Sequence, residues 1–220
     1  IVVEGVYRWI GFLPSRVNPR MPVPNQFVGM FEDGQMKIRG LEVRRSDAPL
    51  IVKLAQAELL RCLGKAQTVA DLQACLPEAI EIIRTYRHSL RDGRVSLEKL
   101  VITKSLSKDP RAYRHQTMTA IAAKELMGHG VRLQPGEAIH YVIMDAAASL
   151  AEDRVRAAAT SDGTVGYDAA AYETLILKAA LAILAPLGLS AARLQDLTNP
   201  LVNVETKNKV VETKGSGVFN

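Results

Sequence analysis

Residues 1–13, IVVEGVYRWIGFL, alternate imperfectly between apolar and polar positions and are rich in Val, Ile, Tyr, Trp and Phe. That pattern predicts a strand buried on at least one face. The strand is already under way at Ile1, as expected of a piece cut from a longer chain. Four prolines then fall between Pro14 and Pro24, which predicts an extended loop, since neither a helix nor a central strand tolerates such a run. Two short β-like runs follow, joined at Asp33-Gly34, a strong hairpin signal. The first 45 residues therefore read as a small antiparallel sheet.

From Ser46 the period changes to that of a helix. Ser46 or Asp47 is the expected cap, Leu50, Ile51, Leu54, Ala57 and Leu60 supply the apolar stripe, and Gly64 the stop. Thr68 and Asp71 resemble a capping box for a helix carrying Val69, Leu72, Leu76, Ile80, Ile83, Tyr86 and Leu90. Pro77 predicts a kink or break in it. Arg84, Arg87, Arg91 and Arg94 recur at spacings of three and four, a basic stripe beside the apolar one. Residues 97–106 read as a strand, about 114–127 as a helix ended by Gly128 and Gly130, and 138–144 as a strand after a Pro135-Gly136 turn. Asp168 is the expected cap of a long helix, a shorter helix covers 190–197, and residues 198–220 read as a flexible tail. The class implied is α+β, a small sheet followed by a mainly helical domain.

Composition narrows the function. The chain carries a net charge of +5, while residues 84–115 hold nine Lys or Arg against three acids, or +6. The rest of the chain thus sums to about −1, so the positive charge is local, and local charge of that density suits a polyanion. No apolar run reaches the roughly 18 residues of a membrane helix. The longest candidate, 175–189, is interrupted by Lys178, Pro186 and Gly188, so no membrane partner is expected. The first residues show no basic region followed by an apolar stretch and a small-residue cleavage site, so no signal peptide is expected. Cys62 and Cys75 share no metal-ligand spacing with His88, His115, His129 or His140 and read as buried free thiols of a reducing, intracellular compartment. Tyr7 and Trp9 read as packing residues, and His129 and His140 as ordinary helix-end and strand residues.

Four stretches, in order, resemble the end of the palm and the thumb of a family B DNA polymerase. RGLEVRRSDAP (39–49) is similar to the palm-end pattern Lys-Gly-x-Glu-x-x-Arg-x-Asp, and residues 97–130 to a thumb pattern in which Ile-x-Lys-x-Leu leads to a Tyr, a Pro-His pair and a helix. VRLQPGEAIHYVI (131–143) resembles the strand Gly-x-x-Ile-x-Tyr-Val-Ile, and residues 165–184 the Tyr-Asp-x-x-Tyr-Tyr helix. The resemblance implies palm strands over 1–47 and a duplex-binding thumb over 48–197. Two positions depart from it. Where the family has Lys-Lys-Arg-Tyr against the minor groove, this chain has Pro24, Asn25, Gln26 and Phe27, so only the aromatic is kept. Pro-His becomes Arg114-His115.

By that resemblance, Lys104 and Lys108 are the first candidates for phosphate contact, then Arg111, Arg114 and His115, then Arg91 and Arg94 of the stripe. Asn25, Gln26 and Phe27, with Arg16 or Arg20 nearby, are the candidates for the groove. Tyr113 either bonds a phosphate or packs into the thumb. Arg39, Glu42, Arg45 and Asp47 are expected to brace the sheet near the primer strand as ion pairs, Glu42 with Arg39 and Arg45 with Asp47. No His or metal set accompanies Glu42 to make it an acid–base group. Nucleotidyl transfer in the family uses two metal ions held by aspartates, one in an Asp-Thr-Asp turn that these 220 residues do not contain. Mg²⁺ is thus expected for a complete polymerase, with no catalytic residue, metal site or cofactor in this chain. The implied partners are primer–template duplex and the upstream palm, fingers and exonuclease portion. The alternative is a small non-catalytic subunit or scaffold that completes the palm of a separate polypeptide.

Overall fold

A computed structural model describes residues 5–15, 18, 21–161 and 166–199. Strands β1 (Tyr7–Pro14), β2 (Pro22–Phe31) and β3 (Met36–Arg39) form an antiparallel sheet in that order. Gly34, at φ 85, makes the expected turn between β2 and β3. The proline stretch is not wholly a loop, because Pro22 and Pro24 lie inside β2. The pairing explains this: β3 engages β2 only from Phe27 to Met30, so the prolines fall where β2 has a single neighbour and a missing N–H is tolerated. The strand start at Ile1 and the candidates Arg16 and Arg20 lie outside the described residues.

Helix α1 (Leu50–Leu63) opens on Pro49, not on Ser46 or Asp47, because the Asp47 carboxylate is turned onto Arg45 and Lys104. Gly64 closes it as expected. α2 (Val69–Ala74) opens on the Thr68–Asp71 capping box. Pro77 breaks the helix there by starting a new one, α3 (Leu76–Arg91), in whose first turn its missing N–H costs nothing. The region 97–106 divides into a 3₁₀ turn (Leu97–Leu100) and strand β4 (Ile102–Ser105). α4 (Met118–Gly128) begins at a Thr117 cap, four residues later than Arg114.

β5 (Ala138–Ile143) pairs with β4 and also with β6 (Val155–Ala157), a strand whose three residues are too few to display a period. α5 (Ala169–Leu184) is capped by Asp168 as expected, and α6 (Ala191–Leu197) lies within the expected 190–197 with Ser190 as its cap. The α+β class holds: two three-stranded antiparallel sheets and a set of helices among the described residues.

The core sits around α5, which packs on α1, α3 and β1. Tyr172, Ile176 and Leu184 are completely buried there. The inner face of the first sheet, Trp9, Leu13, Val28 and Met30, joins the same core, and Trp9 Nε1 donates to the carbonyl of Ala66 at 3.2 Å. Contrary to the interrupted run read from the sequence, Ala169–Leu187 forms a continuous 19-residue helical stretch, mean hydropathy 1.5, long and apolar enough to cross a membrane by length and composition. Pro186 does not stop it because it falls in a terminal 3₁₀ turn. One face, with Tyr172, Ile176, Ala179, Ala180, Ile183 and Leu184, is buried in the core together with Glu173, so the stretch acts here as the central core helix. Thr198, at the start of the expected tail, is fully buried, and the tail from 200 onward lies outside the described residues.

Gly40 leads from β3 toward α1 at φ 72, and a Cβ there would stand 2.5 Å from Gln26 Cγ and 3.2 Å from the Asn25 carbonyl oxygen. Gly40→Ala is expected to destabilise the fold by about 1–2 kcal/mol from the left-handed backbone alone, measured as a lowered urea midpoint with an unchanged m-value.

Candidate nucleic-acid interface

The site begins at a turn. After Gly40 a 3₁₀ segment (Glu42–Arg44) carries the chain over the N-terminal end of α1. Gln56, on α1 and almost fully buried, holds it: Oε1 accepts from Val43 N at 2.7 Å, and Nε2 donates to Glu42 Oε2 at 2.8 Å and to the Ala179 carbonyl at 3.1 Å. Glu42 is therefore paired with Gln56 and not with Arg39, which stands exposed at the end of β3. Gln56 carried no signal in the sequence beyond being a polar residue among Leu and Ala.

This turn delivers Asp47 to the mouth of a cleft. Arg45 grips its carboxylate in a two-bond fork, Nε at 2.9 Å and Nη2 at 2.7 Å, matching the expected pair. Lys104 Nζ donates to the same carboxylate from β4. Together Arg45, first by its hydrogen bonds, and Lys104 hold the Asp47 carboxyl well below the usual carboxylate range. Lys104 is thus neither an outward-facing strand lysine without a partner nor an open cation. Register explains this, since Ile102, Lys104 and Tyr141 all line the cleft, while Thr103 points the other way and bonds His140. The cleft measures about 620 Å³, with Val52, Met118 and Leu175 among its apolar walls and Lys178 among its polar ones.

The chain leaves the cleft at Lys104 and returns to it at Met118, and the connection carries four more candidates. Lys108 Nζ lies 4.9 Å from the centre of the Tyr113 ring. Tyr113 packs against the core while its hydroxyl accepts from Ser107 N at 3.0 Å, so its local role is to shape this loop. Asp109 caps the 3₁₀ turn Pro110–Ala112 by accepting from Arg111 N at 2.7 Å. Arg111, Arg114 and His115 are exposed and make no ion pair among the described residues.

The basic stripe of α3 is employed differently. Arg87, 3% exposed at its side chain, donates through Nε to Glu173 at 2.9 Å, and through Nη1 to the Gln195 carbonyl at 3.1 Å and Thr198 Oγ1 at 2.8 Å. Arg91 Nε reaches the same Glu173 at 2.5 Å, and Arg84 donates to the Leu197 carbonyl at 2.6 Å. Three arginines thus hold the C-terminal end of α6 against α3 and α5. Arg91 belongs to that clamp, and Arg94 pairs with Asp92. Neither lines the cleft. Glu173, the one acid of α5, was the signal available for this clamp, since a buried carboxylate needs a cation.

Asn25 and Gln26 are exposed on β2 beside Gly40. Phe27 is half-buried, its ring 5.8 Å from Phe12 and 6.4 Å from Tyr7. These three do not line the cleft either. Cys62 and Cys75 are free thiols, but only Cys62 is buried as expected, Cys75 being half-buried, and burial pushes the Cys62 thiol up to about 12. Among the described residues no three His, Cys, Asp or Glu side chains are grouped as metal ligands.

This arrangement of sheet, turn, cleft and helices is a known one. The family B DNA polymerase from the hyperthermophilic archaeon Pyrobaculum calidifontis superposes with a TM-score of 0.64 at 22% identity, over 86% of this chain and 23% of that one. The DNA polymerases of Thermococcus litoralis and of Thermococcus sp. strain 9oN-7 are each 30% identical over 158 residues, 71% of this chain. That match covers 9% of the first and 20% of the second, so the chain spans a minor part of the relatives' length. The family model for DNA polymerase family B matches residues 25–187, and the chain belongs to that family.

The clamp yields a stability test. Glu173→Gln leaves Arg87 buried without its counter-charge and is expected to cost about 3–5 kcal/mol. Arg91→Met, at a side chain 43% exposed, is expected to cost at most about 1 kcal/mol. Urea denaturation of both variants checks the order.

Proposed function

We propose that this chain is the palm-end and thumb portion of a family B DNA polymerase and grips the primer–template duplex behind an active site built by other segments. The carrying observation is the loop from Lys104 to Met118, which starts and ends in one cleft and holds Lys108, Arg111, Arg114 and His115 in the open. Duplex DNA is held chiefly through phosphates by contacts that are independent of sequence and weaken steeply with salt. A polymerase must hold any sequence while sliding along it, and exposed long cations on a loop suit that task. Asn25, Gln26 and Phe27 are the candidates for groove contact. Template-directed synthesis, Mg²⁺ held by palm aspartates and an intracellular setting belong to the same reading, with the chemistry assigned to the palm and fingers and not to this chain.

A second reading has its own observation. β1 is an edge strand among the described residues, with Ile10 and Phe12 about 40% exposed. An open apolar edge invites a partner strand, as in a small subunit that completes another polypeptide's palm. Co-elution of this chain with a separate palm–fingers fragment, with restored primer extension, is its expected signature.

For the leading reading, duplexes of unrelated sequence should bind equally well. The log–log salt slope should be about −4, from roughly four neutralised phosphates. Arg111→Ala with Arg114→Ala should flatten it by about two units. Fluorescence anisotropy between 50 and 200 mM salt is the measurement, and a slope near zero overturns the reading.

A further inference from the structure

Resting on the duplex-grip reading, we infer that Arg45 and Lys104 form a phosphodiester-binding site that Asp47 occupies in the absence of DNA, so that the carboxylate acts as an internal stand-in which the backbone phosphate must displace.

Three N–H donors converge on the Asp47 carboxylate, two from the Arg45 guanidinium and one from Lys104. A guanidinium fork plus an ammonium is the donor set that suits either a carboxylate or a phosphate. The set carries two positive charges against one negative, so its net charge is still positive with Asp47 in place.

What separates this cluster from a structural ion pair is exposure. The side chains of Arg45 and Lys104 are 47% and 43% exposed, and that of Asp47 is 25% exposed. In the α3–α5 clamp the corresponding figures for Arg87 and Glu173 are 3% and 8%. A buried pair cannot exchange its anion without stranding a charge, whereas an open pair contributes little net stability and can exchange.

The surroundings favour the exchange. The cleft gives an elongated anion an approach, and its charged lining, Arg45, Lys104 and Lys178 against Asp47 and Glu42, is net positive. Its wall includes Pro49 and Val52, where α1 begins without any side-chain cap. The positive end of that helix faces the same space. Asp47 belongs to neither the Glu42–Arg44 turn nor α1, and Ser46 beside it is exposed.

The test uses the whole chain and a duplex oligonucleotide. Asp47→Asn keeps the size of the side chain and removes its charge. The expected result is roughly five- to tenfold tighter duplex binding at fixed salt and a log–log salt slope about one unit steeper, because one more cation becomes available to phosphate. The gain should vanish in a background carrying both Arg45→Ala and Lys104→Ala. Unchanged or weaker binding by a folded Asp47→Asn chain overturns the inference and leaves the grip reading standing, and so does a gain that survives removal of both cations. Loss of all salt-dependent binding in the wild-type chain overturns both. Asp47→Ala, which should reproduce the gain, serves where the Asn variant does not fold, as judged by circular dichroism.

Discussion

A single buried amide, that of Gln56, sets the relation between the sheet and the helices. Its oxygen takes the Val43 N–H, and its nitrogen serves both the Glu42 carboxylate and the Ala179 carbonyl. Three segments, the Glu42–Arg44 turn, α1 and, 123 residues from Gln56, α5, are thereby tied at one point inside an apolar core. A buried polar group costs about 1–3 kcal/mol when left without partners, so each of the three segments is constrained to keep its contact. The consequence reaches the surface. With Glu42 fixed from below and α1 starting at Leu50, the chain between them has little choice of path, and Asp47 emerges opposite β4 at the height of Lys104.

Arginine meets carboxylate in two settings in this molecule, and burial decides what each pairing does. Around Glu173 the charges are withdrawn from water and the hydrogen bonds extend to backbone carbonyls at the end of α6. That cluster fastens one helix to two others, and its geometry is expensive to alter. Around Asp47 the same chemistry lies at the mouth of a cleft. Water reaches the donors there and screens the Coulomb attraction. The first is architecture, and the second is a contact open to competition.

Much of the fold was legible in the sequence because its signals are local. The Thr68–Asp71 capping box, the Asp168 cap, the break at Pro77 and the Asp33-Gly34 turn each depend on residues within four positions of one another. What was not legible depends on distant partners. Pro22 and Pro24 read as loop because a single strand does not disclose where its neighbour ends. Asp47 read as a cap because Lys104 is 57 residues away. The basic stripe on α3 read as a solvated or DNA-facing surface because its acid, Glu173, is 86 residues from Arg87. β6 is too short to express any period.

The charge-rich window shows how far local density can mislead, and what survives of it. Of its nine cations, Arg84 pairs with Glu81, Arg87 and Arg91 with Glu173, Arg94 with Asp92 and Lys104 with Asp47. Lys99, Lys108, Arg111 and Arg114 remain without an ion pair among the described residues. A paired cation and anion present a dipole, whose field decays faster with distance than that of a lone charge. At a distance an approaching polyanion therefore senses the unpaired set together with the one excess cation of each shared cluster, at Glu173 and at Asp47, and three of the four unpaired cations lie on the loop between Lys104 and Met118. The Asp47 cluster keeps one cation in excess of its acid, so on the proposed reading it adds to that attraction at a distance and offers its donors to a phosphate at close range.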